Sequence, residues 1–555
     1  MGGTCYPVAA KTVKNRGAHE FNFGLPVLQR ALAAARFAVV SANVVTARGA
    51  TPLGDTTFVP PFALIDRVLI DSAGQPQRIR LGVLGLTPPE ILLWDREHLE
   101  GRLEARPMLE AARAWVPRIR AAGADIVVCL AHTGIAERFG RPESEGLATE
   151  IAAIDGIDAV IAGHSHLVFP EVGSNLLPHP DLRVDPKAGF LCGKPAVQPG
   201  HIGSHLGVID LVLQRDAGGN WARRDAQVRA ISVSEVVAGL SAPEIRRYAA
   251  PLRAAIGADH SAALAWTRRP LGEIKADIST FFAQVVESRA MRLVANSMFD
   301  HARRGLAKTS AADLPMVATA TPYRAGGRGG ALNYTDIQTG DLSVRHLFDL
   351  CPFPDTLVAM RVTGAELVEQ MERAAALFAQ IVPGGQDMPL INPAFPGFAF
   401  ASFHGVSYQI DPSAPARYDE RGAMICPGAR RILAPRIDGR ALRPDDALVL
   451  LTNNYRTGGT LGICPPRKED LLLDKLHQCT DVLRAYIEAC NMENPTACVA
   501  AGGSGESWSL LPLPGTRVTY DTGAGAVDHL DEVAHLRPEF VGLTEAGFHR
   551  FRLDL

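Results

Sequence analysis

Four short runs rich in Val, Ile and Leu constrain the first half of the chain: Phe37–Val45 (FAVVSANVV), Arg80–Leu86 (RLGVLGL), Asp125–Ala131 (DIVVCLA) and Asp158–Ala162 (DAVIA). Their apolar residues are consecutive rather than alternating, so each run reads as a strand covered on both faces. Between them, Met108–Ala122 places Leu109, Ala112, Val116 and Ile119 at helical spacing, with Gly123 as the stop and Pro117 as a point of kinking or splitting. Strands alternating with helices imply an α/β domain. Leu206–Val212, followed by Asp216-Ala-Gly-Gly, reads as a strand and turn near its end.

Ser241–Ala265 is Ala- and Arg-rich and reads as a connecting helix, with Pro251 and Gly257 as points of interruption. The second half opens near Thr267. Thr363 and Glu366 form a capping box, followed by Leu367, Met371, Ala374 and Phe378 on one face. Val406–Ile410 and Ala447–Thr452 read as strands. At 555 residues the chain exceeds a single hydrophobic core. The expected division is 1–235, a linker helix over 236–266, and 267–555.

Charge excludes several classes of function. With 56 Lys+Arg against 59 Asp+Glu, the formal charge of −3 gives no basic excess for a nucleic-acid polymer or a membrane surface. No apolar run is long enough for a transmembrane span, and the opening MGGTCYPVAAKTVKNRG has no h-region of a signal peptide. Nine cysteines are an odd and sparse set for a disulfide scaffold, and no CxxC pair marks a structural zinc site.

Histidines stand at two of the expected strand ends. His132 follows Leu130-Ala131, and His164 and His166 follow Ala162 in Gly163-His164-Ser165-His166. In α/β sheets, ligands gather at the carboxyl ends of strands, and imidazole suits zinc, iron, copper or nickel. The alternative is a set of loop histidines without a ligand role. A further histidine, His19, lies between glycines in Gly17-Ala18-His19-Glu20-Phe21-Asn22-Phe23-Gly24, which by itself reads as a solvated loop.

Taken together, these segments resemble calcineurin-like metallophosphoesterases of the 5′-nucleotidase superfamily. Gly17–Gly24, Ser41-Ala42-Asn43-Val44, Ala131-His132-Thr133-Gly134 and Gly163–His166 follow the family's order. Thr321-Pro-Tyr-Arg-Ala-Gly-Gly-Arg328, Phe395-Pro-Gly-Phe398, His404–Asp411, Pro415–Asp419 and Asn453-Asn454-Tyr455-Arg456 are similar to its 2′,3′-cyclic-nucleotide 2′-phosphodiesterase/3′-nucleotidase branch. The resemblance implies an N-terminal αββα metallophosphoesterase sandwich, a linker helix and a C-terminal α+β nucleotide-binding domain. It implies two divalent metal ions (manganese, cobalt, zinc or similar), with His132 and His164 as ligands of one and His166 of the other. His19 then matches the group that stabilises the transition state or protonates the leaving group, Arg328 a phosphate or ribose contact, and Phe398 and Tyr455 the pair that stacks the base.

The family's Asp-x-His and Gly-Asp motifs do not precede His19 here, and Ala18 stands where the family has an asparagine ligand. The expectation is an N-terminally truncated member with an incomplete sandwich and an incomplete, impaired metal centre. The implied substrate is a small nucleotide, and the implied location is the periplasm. The rival expectation is a nucleotide-binding homologue without turnover. Oligomeric state is left open.

Overall fold

Three of the four apolar runs of the first half, those over 80–86, 125–131 and 158–162, pair side by side in one mostly parallel sheet, while the strands formed by 37–45 pair outside it. In a computed structural model of the chain, the described residues are 13–15, 19–135, 146–170, 183–395, 397–420, 422–457, 467–473, 477–493 and 507–555. The chain divides into two compact units, Met1–Ala255 and Ile256–Leu555.

In the first unit, the run expected as one strand over Phe37–Val45 forms two, Ala38–Val40 (β1) and Val44–Ala47 (β2). The break falls on polar side chains that take over backbone bonding. Asn43, fully buried, donates to the carbonyls of Thr87 (2.6 Å) and Arg106 (2.9 Å) and accepts from the Thr87 N–H (2.9 Å). Beyond it come Phe62–Ile70 (β3), Pro76–Leu86 (β4), helix Met108–Ala121 (α1), Ile126–Ala131 (β5), Ala159–Ala162 (β6) and Lys194–Pro199 (β7). Strands β4, β5, β6 and β7 run parallel in that spatial order, and β3 is antiparallel on the outer side of β4.

Both faces of this sheet are covered, which accounts for the consecutive apolar residues. On one face Leu84, Cys129 and Val160 pack with Val116 and Ile119 of α1. On the other, Leu81, Val83, Val128 and Leu130 pack with Ile209 of the hairpin His205–Arg215 (β8) and Trp221–Ser232 (β9). Gly82 lets α1 approach closely, since a Cβ there would stand 2.2 Å from Ile119 Cγ2. Pro117 lies inside α1 without splitting it, at an exposed position.

The connecting helix is continuous over Ala242–Thr267 (α2), with Pro251 and Gly257 inside it and no residue buried. The division between the units falls within it.

The second unit is built on Arg289–Leu306 (α3), Met316–Ala320 (β10), Leu357–Thr363 (β11), Gly364–Ala374 (α4), Ser402–His404 (β12), Ser407–Ile410 (β13) and Ala447–Asn453 (β14). One sheet has the order β11-β14-β10-β12, with β14 and β10 parallel and the outer pairs antiparallel. Side chains of β14 alternate between two cores. Val449 and Leu451 meet Ala295 and Met298 of α3, while Leu448 and Leu450 meet Leu367 and Met371 of α4. The capping box forms: Thr363 Oγ1 accepts from the Glu366 N–H at 3.2 Å, and Glu366 Oε2 accepts from the Thr363 N–H at 2.7 Å. Helix α4 ends at Ala374, so Phe378 joins the same core from beyond a short 3-10 turn.

Candidate active site

Strands β5 and β6 are parallel neighbours with Ala131 opposite Ala162, so the turns that follow emerge at one edge of the sheet. The His132 N–H donates to the Leu86 carbonyl at 2.9 Å, and the Gly163 N–H donates to the Thr133 carbonyl at 3.1 Å. The first bond ties the His132 turn to the end of β4 and the second joins the two turns, and the His132 and His164 rings lie 5.3 Å apart at 60°. His164 also stacks on Trp94, at 5.3 Å and 18°. His166 stacks on His201, at 4.9 Å and 10°.

His164 and His166 both take left-handed backbone conformations, with φ of 69° and 61°. Such a conformation costs an L residue about 1–2 kcal/mol, and it persists where surrounding bonds over-determine it. Gln198 on β7 supplies those bonds. Its Nε2 donates to Ser165 Oγ at 2.8 Å and to the Leu167 carbonyl at 2.9 Å, from a fully buried position. Trp94, Gln198 and His201 carry no motif in the sequence. Each meets the histidine turn from a distant segment, which is why spacing alone does not reveal them.

His19 opens a short 3-10 turn, His19–Phe21, that buries Phe21; the His19 side chain lies outside the described residues, as does Ala18. Among the described residues, no group of three or more His, Cys, Asp or Glu side chains is arranged to hold a metal ion. The described part of the site therefore offers the His132/His164 imidazole pair but not a complete metal shell.

In the second unit, Tyr455 is half-buried on the short helix Asn454–Thr457 (α5), directly after β14. Asparagines on both sides of the junction fix that helix. Asn453 Nδ2 donates to Tyr323 Oη and to Asp355 Oδ2, each at 2.7 Å, and Asn453 Oδ1 accepts from the Arg456 N–H at 2.9 Å. Asn454 Oδ1 accepts from the Thr356 N–H at 2.8 Å. Tyr323 Oη donates to Asp355 at 3.0 Å, and burial holds its pKa well above the usual phenol value. Arg328 lies in the 3-10 turn Gly327–Gly329 and Phe398 in the turn Gly397–Ala399; their side chains lie outside the described residues.

The family model for the 5′-nucleotidase C-terminal domain matches residues 270–465. A 2′,3′-cyclic-nucleotide 2′-phosphodiesterase/3′-nucleotidase of Salmonella typhimurium is 34% identical over 98% of this chain and 83% of its own length. A trifunctional nucleotide phosphoesterase of Bacillus subtilis is 32% identical over 94% of this chain, which spans only 34% of that longer protein. Among solved structures, a Staphylococcus aureus protein described as a 5′-nucleotidase, in complex with α-ketoglutarate, shares the fold. It has a TM-score of 0.62 at 19% identity, over 92% of this chain and 86% of its own. The chain belongs to the 2′,3′-cyclic-nucleotide 2′-phosphodiesterase/3′-nucleotidase family of the 5′-nucleotidases.

Proposed function

We propose that the chain hydrolyses 2′,3′-cyclic nucleotides to 3′-nucleotides and then removes the 3′-phosphate. The observation that carries this reading is the 34% identity to the Salmonella typhimurium enzyme over 98% of the chain. Each step consumes one water: its oxygen bonds to phosphorus, the ester P–O bond breaks, and the leaving ribose oxygen takes a proton. His19 is the proposed group at the leaving oxygen. Arg328 is the proposed contact to phosphate or ribose, and Phe398 and Tyr455 stack the base, which any nucleobase accepts through its planar face.

His132, His164 and His166 are the proposed metal ligands in this reading, with a divalent cation such as manganese, cobalt or zinc as cofactor. The proposed domains are a metallophosphoesterase domain over 1–235, a linker over 236–266 and a nucleotide-binding domain over 267–555. The proposed location is the periplasm. Among the described residues no helix is long and apolar enough to cross a membrane.

The test is phosphate release from 2′,3′-cyclic AMP and 3′-AMP by the purified chain, first with manganese and then with excess chelator. Release that stops on chelation is the expected result. A folded protein that binds adenosine but releases no phosphate under any metal would overturn the hydrolase reading.

A further inference from the structure

Burying a cation is costly unless it is well partnered. Arg456, next to Tyr455 on α5, is only 7% exposed, and burial pulls its pKa below the usual guanidinium value. Its guanidinium partners among the described residues are neutral oxygens on two other segments. Nη1 donates to Thr321 Oγ1 and Nη2 to the Ala399 carbonyl, both at 3.2 Å. Ala399 directly follows Phe398, and Thr321 opens the segment that leads to Arg328. One side chain thus ties the segments that carry two of the proposed substrate contacts, Phe398 and Tyr455, to each other and to Thr321. A planar fork suits this task, because it reaches two acceptors in different directions where an ammonium acts as a point charge.

A second anchor fixes the same stretch three residues further on. Ser402 Oγ donates to the Ala320 carbonyl at 3.3 Å and lies 2.9 Å from His404 Nε2. The Phe398 segment is therefore bonded to β10 at one end and to α5 at the other.

We propose that Arg456 is a positioning residue that sets the spacing between the Phe398 and Tyr455 segments and so determines how tightly a nucleobase is held. This rests on the assignment of Phe398 and Tyr455 as the stacking pair.

The test compares the full chain with Arg456→Lys, Thr321→Val, Phe398→Ala and Tyr455→Ala. The readouts are calorimetric Kd for adenosine and for inorganic phosphate, and KM and kcat for 3′-AMP. Arg456→Lys is expected to weaken adenosine binding about tenfold and phosphate binding much less, with KM rising and kcat within about twofold. Thr321→Val removes one acceptor with little change of shape, and its expected loss is about threefold; it decides the matter if the lysine variant does not fold. Equal weakening of adenosine and phosphate, or unchanged adenosine binding where the two alanine variants do lose it, overturns the positioning role. If neither alanine variant weakens adenosine, the stacking assignment falls and the role of Arg456 falls with it. Absence of turnover bears on the hydrolase reading alone, because adenosine binding reads the pocket without it.

Discussion

His404 Nδ1 and the Glu287 carboxylate lie 3.2 Å apart, with side chains only 4% and 3% exposed. Burial alone pushes the Glu287 pKa up, but the bonds from His404, Arg292 and the Ser507 N–H outweigh it and bring the value to about 2. A folded pKa below the ordinary 4.5 stabilises the protein above that value, and the contribution fades as pH falls towards 2. Glu287→Gln is therefore expected to cost about 3 kcal/mol at pH 7 and markedly less at pH 3. Urea melts at the two pH values check this; an equal cost at both contradicts it.

Asn43→Ala removes three buried hydrogen bonds at once and leaves two carbonyls and one N–H without that partner. The expected loss is about 2–4 kcal/mol of stability. Denaturant titration gives the number, and a loss under about 1 kcal/mol would show that water replaces the side chain.

Gln198→Leu keeps the volume but removes both donors that hold the histidine turn. Groups behind metal-binding or catalytic histidines typically affect activity by about 10–100-fold. The expected result is at least a tenfold fall in kcat/KM for 2′,3′-cyclic AMP, with circular dichroism unchanged. Wild-type kcat/KM in a folded variant would free Gln198 of any part in the site.

Gly82→Ala places a methyl group against Ile119 and Ala124. Overpacking of this kind costs about 1–3 kcal/mol. Thermal melting checks it, and a smaller cost of Gly82→Ala in an Ile119→Ala background, which lacks the clashing Cγ2, would place the clash where the geometry does.

Much of the architecture is legible in the sequence, because strands covered on both faces leave consecutive apolar runs such as Ile126–Ala131 and because Thr363 and Glu366 form a local signal. Phe37–Val45 is less legible, since its apolar residues resemble one strand while Ser41 and Asn43 divert the backbone through bonds to Thr87 and Arg106. Helix α2 is continuous because a single proline or glycine off the core need not break a helix whose neighbouring residues favour it. Of the site, the strand ends locate His132, His164 and His166. Trp94, Gln198 and His201 escape any local pattern because each reaches the turn through the fold. Arg456 is visible as part of a motif, but its bonds to Thr321 and Ala399 span separations that only the folded chain reveals.

The left-handed backbone at His164 and His166 sets two kinds of selection against each other. Glycine occupies that conformation at lower cost than any residue carrying a Cβ. A variant library screened only for survival of heating would therefore enrich His164→Gly and His166→Gly early, and would arrive at a sturdier protein without the imidazoles. Under the proposed ligand role, the same library screened for phosphate release would reject both glycines.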